Sequence, residues 1–167
     1  MRALSFPTPW GRLTRATVAL SLVTIVCAGC AQHKAAGKTP GESRAEIDTV
    51  LSSIQVTVGG EWETTMSQAL ECSVEGLGGS GVQWTYGRTA SRTGDMDAAR
   101  IDVEKVATIL KGAGYEVRPV SFHEELGYDV GSNNGRGSEV AFGTSAVGVS
   151  ITAGSDCAAG VIEDFSD

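Results

Sequence analysis

The sequence predicts an α+β fold: a two-layer sandwich in which an antiparallel sheet of about four strands is covered on one face by two helices. Three patterns carry that expectation. Ile47, Val50, Leu51 and Ile54 recur at i, i+3, i+4 and i+7, which puts them on one face of a helix. Met96, Ala99, Val103, Val106, Ala107 and Leu110 repeat the pattern. Val147, Val149, Ile151 and Ala153 alternate with Gly148, Ser150 and Thr152, the two-residue period of a half-buried strand.

Taken in order, Ser43-Arg44-Ala45-Glu46 has the S-x-x-E spacing of a capping box, so the first helix is expected from Ser43 to Gln55, stopping before Gly59-Gly60. Glu61 to Glu75 reads two ways. Trp62, Met66, Leu70 and Val74 suggest a period of four, while Thr64, Thr65 and Val74 suit a strand. Val82 to Gly87 alternates and is rich in β formers, giving a strand towards Ala90. The second helix is expected from Asp95 to Lys111. Asp95, Asp97, Asp102 and Glu104 lie in its N-terminal half, where the helix dipole favours acids, and Gly112 and Gly114 end it. Tyr115 to Phe122 is a strand interrupted at Pro119, which places it at an edge or bulge. Strands at Tyr128 to Gly131, Gly137 to Gly143 and Ala146 to Ala153 complete the sheet, with a turn at Ser132 to Gly135.

Charge narrows the function classes. The chain has 20 acidic and 13 basic residues, net -7. Arg2, Arg12 and Arg15 all precede Cys30, and the rest of the chain holds ten basic against 20 acidic residues. Such a surface disfavours nucleic acid and anionic bilayers, which need clustered Lys and Arg.

The N-terminal segment reads as an export signal. Met1 to Arg15 carries positive charge, and Ala16 to Ala28 is an uncharged, mostly apolar run of 13 residues, shorter than the roughly 20 a spanning helix needs. Cys27-Ala28-Gly29-Cys30 resembles the lipobox of bacterial lipoproteins, with Cys27 where that motif usually has an aliphatic residue. The resemblance implies a signal peptide over residues 1–29 and a diacylglyceryl group on Cys30. Gly29-Cys30-Ala31 also offers the small residues of ordinary signal-peptide cleavage, which would release the protein. Residues 30–42 read as lipidated cysteine and tether, with a solvated His33, and residues 43–167 as one extracytoplasmic domain. In an exported chain the remaining cysteines, Cys72 and Cys157, are expected to form a disulfide, the alternative being two separate buried thiols.

Motifs with a chemical reading are weak. Gly76 to Gly81 spells G-x-G-x-x-G but precedes a strand, whereas a dinucleotide site needs a helix there. His123-Glu124-Glu125 lacks a second histidine within the domain for a metal. Asp129 to Val140 departs from a calcium loop, with Gly131, Asn134 and Val140 at its third, sixth and twelfth positions. No nucleophile elbow is present. The expectation is therefore no cofactor, no metal and no enzyme. The expected function is a monomeric, membrane-anchored binding or envelope-interaction module, with a cell-wall component, an envelope protein or a small ligand as partner. Trp62, Trp84 and Tyr86 are the candidate binding residues. The alternative is a hydrolase using carboxylates such as Glu61 with Glu63, or Glu71 with Glu75, which predicts a cleft lined by acids.

The order of elements resembles the LppA-like lipoproteins of actinobacteria: a lipobox, a first helix, a Trp before a lone Cys, a strand, a long helix, Tyr128-Asp129-Val130 leading through an Asn-Gly-rich turn to a strand, and Ile151-Thr152-Ala153-Gly154-Ser155-Asp156-Cys157. The likeness covers about Ser43 to Cys157. It implies an extracytoplasmic address and a fold, and no activity.

Overall fold

Thr39, not Ser43, caps the first helix, α1 (Pro40–Val58), in the computed structural model, which describes residues 37–74 and 79–165. The Thr39 hydroxyl accepts from the Glu42 N–H at 3.2 Å, and the Glu42 carboxylate accepts from the Thr39 N–H at 2.8 Å. This is the reciprocal box the sequence suggested, one turn earlier. Pro40 decides between the two overlapping signals, since a proline fits the first helical position, where its missing N–H is not needed. Ser43 therefore lies within the helix, is buried, and donates to the carbonyl of Asp156 at 3.0 Å. Gly59 and Gly60 end α1 with φ of 74° and 93°.

The chain separates into two units, Met1–Gln32 and His33–Asp167, and every described residue belongs to the second. The leader, Cys30, His33, Glu75 and Gly76 to Gly78 lie outside the described residues.

The ambiguous stretch is a strand, β1 (Trp62–Val74), paired antiparallel with β2 (Gly79–Ser91). A register shift between Thr64 and Met66 explains why its alternation is hard to see. Trp62 before the bulge and Ala69 after it both pack towards the core, so even positions give way to odd ones along one strand.

Then come α2 (Met96–Gly112), β3 (Glu116–Val117), β4 (Ser121–His123), β5 (Gly127–Asn133), β6 (Glu139–Thr144), β7 (Gly148–Gly154), β8 (Ala158–Ala159) and a 3-10 turn at Ile162–Phe165. Among the described residues the sheet has eight strands, twice the expected number. Its order is β1-β2-β7-β6-β5-β3, with β4 also on β5 and β8 also on β2. Three of the extra strands are only two or three residues long, and Pro119 separates β3 from β4 as its phase break suggested.

The core lies between the helices and one sheet face. Ile47, Leu51 and Ile54 from α1 and Val103, Val106 and Leu110 from α2 meet Trp84, Tyr86, Val130, Phe142 and Ile151. The N-cap of α2 is Asp95, which accepts from the Ala98 N–H at 2.8 Å. Asp102 is no solvated dipole acid: it is 7% exposed and pairs with Arg92, which also donates to Thr144 on β6 at 3.1 Å. That part-buried triad fastens α2 to the sheet.

Cys72 and Cys157 are disulfide-bonded, with Cα atoms 6.0 Å apart. Gly81 on β2 is the register partner of both Cys72 on β1 and Ala159 on β8. The bridge thus joins the two segments that flank β2, beside a position with no side chain.

Candidate functional site

The helices cover one face of the sheet, and the registers define what the other face presents. Glu63 pairs with Thr89, Thr89 with Ser150, Ser150 with Gly143, Gly143 with Asp129 and Asp129 with Ser121. These six residues form one continuous row across β1, β2, β7, β6, β5 and β4. A second row runs Met66, Gly87, Thr152, Ala141 and Gly131. Arg118, whose N–H donates to the Gly131 carbonyl at 2.9 Å, lies at its end. Its guanidinium occupies the space where a Cβ on Gly131 would stand. The open face is therefore a floor of Gly, Ala, Ser and Thr between longer side chains.

At one end of this floor a cleft of about 790 Å³ is lined by Glu61, Glu63, Thr89, Ser150, His123 and Asp129 among others. The Glu61 and Glu63 side is contributed by β1 and the residue before it, and the opposite side by β4 and β5. His123 Nε2 lies 2.9 Å from Asp129 Oδ1, with both side chains about half exposed. Gly127 must be glycine at the cleft edge: its φ is 91°, and a Cβ would run into the Thr144 carbonyl oxygen. Tyr128, also in the lining, packs against Phe122 with ring centroids 4.9 Å apart and the rings tilted by 44°. A smaller hollow of about 300 Å³ lies farther along the same face, bounded by Met66, Thr85, Arg118 and Thr152.

The aromatic residues singled out from the sequence do not line either hollow. Trp84 is 6% exposed, with the Arg44 guanidinium 4.1 Å from its ring centroid and the Phe165 ring edge-on at 6.0 Å. Tyr86 is 2% exposed, and burial raises its phenol above the ordinary value. Both are packing residues of the helix-covered face, which leaves no ring surface for a ligand. Trp62 is half-buried and donates its indole N–H to the Gly59 carbonyl at 3.0 Å, bracing the turn that leads into β1.

Of the acidic pairs, Glu61 and Glu63 do line the cleft, and Glu71 is exposed on β1. His123 meets Asp129, whereas Glu124 and Glu125 are exposed in the turn between β4 and β5. Asp129 sits in a regular strand, not a calcium loop. Among the described residues no group of three or more His, Cys, Asp or Glu is arranged to hold a metal, and no helix is long and apolar enough to cross a membrane.

Sequence reasoning missed the row itself. Its signal was present in Gly148, Ser150 and Thr152, which alternate with the core residues of β7, but long-range register is needed to bring Asp129 and Glu63 onto the same line.

No family model matches the chain, and no curated protein matches it. Among solved structures, the crystal structure of a DUF4853 family protein from Actinomyces odontolyticus is similar, with a TM-score of 0.47 and 15% sequence identity, over 73% of this chain and 70% of that one.

Proposed function

We propose that this protein is a lipid-anchored extracytoplasmic lipoprotein of the LppA-like kind, whose domain serves as a binding or envelope-interaction module. The binding reading rests on the sheet face that, among the described residues, no helix covers, with its cleft between the Glu61–Glu63 and His123–Asp129 sides. A face of small and hydroxylated residues with charged groups at its margins suits a polar ligand, because it offers hydrogen bonds without a large apolar surface. The address rests on the apolar run ending at Cys27-Ala28-Gly29-Cys30. The Cys72–Cys157 bond supports an oxidising compartment. Two or more acyl chains on Cys30 would hold the protein far more firmly than one.

The carboxylate-based hydrolase is the second reading, favoured by the acids in the cleft. Glu63 and Asp129 do not form a glycosidase pair: four strand spacings separate them, roughly 19 Å along the sheet, against about 5 to 10 Å in such enzymes.

Fractionation of cells carrying the natural chain or Cys30→Ala tests the proposal. The natural protein is expected in membranes, released by detergent and not by high salt, and the variant in the soluble fraction. Equal membrane retention of both would overturn the lipid anchor.

A further inference from the structure

The two ends of the sheet are finished in different ways. At one end lie β3 and β4, of two and three residues, separated by Pro119. Short strands and proline are common means of blunting a sheet edge. At the other end lies β1, 13 residues long, which among the described residues pairs as a ladder only with β2. Its sequence contains no Pro, Lys or Arg. Beyond the bulge, Met66 to Val74 pairs without a break to Gly87 through Gly79, so nine residues, about 30 Å of strand, present a straight outer edge.

Charge and side chains restrict what fits there. No Lys or Arg occurs between Arg44 and Arg88, while Glu61, Glu63, Glu71 and Glu75 all fall in or beside β1. A second copy is disfavoured by charge: pairing two β1 edges would bring together two segments that each carry Glu61, Glu63, Glu71 and Glu75 and no Lys or Arg. On the open face Met66 and Leu70 stand at alternate pairs of positions, with Leu70 41% exposed, while Glu71 points to the other face.

We propose that the outer edge of β1 accepts, by strand addition, an extended segment of a partner protein that alternates apolar residues with Lys or Arg. Main-chain hydrogen bonds along Met66 to Val74 supply the attachment, and alternate side chains the selectivity. Apolar residues of the incoming strand pack beside Met66 and Leu70, and its basic residues face Glu71. The inference is independent of the cleft and holds whether or not Cys30 carries lipid.

The test uses the full-length protein and a capped nine-residue peptide alternating valine and lysine, followed by hydrogen–deuterium exchange and by anisotropy of the labelled peptide. The expected result is saturable binding with slowed exchange confined to β1. The same peptide with alternate amides N-methylated, which cannot form a ladder, is expected not to bind. Glu71→Lys is expected to weaken the valine–lysine peptide about fivefold and to favour a valine–glutamate peptide, with an unchanged disulfide-bonded mass as the check on folding. Binding that survives N-methylation, slowed exchange away from β1, or no binding at all would overturn the proposal. Concentration-dependent protection of β1 without peptide would overturn it in favour of a second copy.

Discussion

The hydroxyl of Ser43, in the first turns of α1, donates to the main-chain carbonyl of Asp156 at 3.0 Å, joining residues 113 apart in sequence. The same Asp156 accepts through its carboxylate from the Asn134 side chain at 2.7 Å and the Ser138 N–H at 3.0 Å, and lies 3.2 Å from Lys38 Nζ and 3.4 Å from Arg136 Nε. One residue before the disulfide, the start of α1, the β5–β6 turn and the end of the sheet converge.

Ser43→Ala removes a buried hydrogen bond and leaves a carbonyl with one fewer donor, at a cost of about 1 kcal/mol. Thr39→Ala removes the true cap, also at about 1 kcal/mol. The two differ in where they act. Exchange at the first amides of α1 should rise for Thr39→Ala, while Ser43→Ala should leave those amides protected and lower the global melting temperature. Fraying of the first turn in Ser43→Ala would show that the sequence-based cap was right after all.

Asp156→Ala should be the most damaging substitution of the group. It removes the acceptor of the Asn134 amide, one of the two acceptors of the Ser138 N–H and one of the two carboxylates beside Lys38, and losing a buried carboxylate that accepts two hydrogen bonds costs about 3 kcal/mol. Chemical denaturation with the wild type alongside measures it. A change below about 1 kcal/mol, the range of exposed ion pairs, would mean that the network is loosely held.

Reducing the disulfide opens a loop with a sequence separation of 85, for which the chain-entropy estimate is about 4 to 5 kcal/mol. Cys72→Ser and reductant-treated protein should therefore lose comparable stability in denaturant. An unchanged midpoint after verified reduction would contradict the role given to the bridge.

High pH should unfold the domain. Burial raises the phenols of both Tyr86 and Tyr115 above their ordinary value of 10.0, Tyr115 while also bonded to Ser138 at 2.7 Å. Since the folded state favours the neutral phenols, the stability they contribute is fully present below about pH 10 and is lost as pH rises through the higher folded values. Ultraviolet titration should show a late-ionising class coincident with loss of near-ultraviolet dichroism, which Tyr86→Phe and Tyr115→Phe together reduce. Ionisation of all tyrosines at the free value in folded protein would contradict it.

The fold class was legible because both helices have clean apolar periods and β7 has clean alternation, all of which depend on local sequence alone. What the sequence hid has physical causes. The bulge at Thr64–Met66 inverts the facing of β1 partway along, and an edge strand buries little enough that Leu70 stays exposed. The overlapping Thr39 and Ser43 signals are distinguished only by Pro40 and by the distant Asp156. Asp102 resembles a solvated dipole acid until Arg92, ten residues earlier, is brought against it. The candidate binding face was least legible, since Glu63 and Asp129 share a row only through four strand registers. Of the three aromatic side chains singled out, Trp84 and Tyr86 are buried in the core, while Trp62 is half-buried beside a shallow hollow at the end of α1.

The account's central claim, a disulfide-clamped domain held to a membrane by lipid, is tested most directly by the intact mass of membrane-extracted protein, with and without reductant, beside Cys30→Ala. The predicted result is a chain beginning at Cys30 with a diacylglyceryl mass, gaining two hydrogens on reduction, and a variant that loses both the lipid and the membrane. An unmodified chain free in the medium, or two free thiols at Cys72 and Cys157 before any reductant is added, would contradict it.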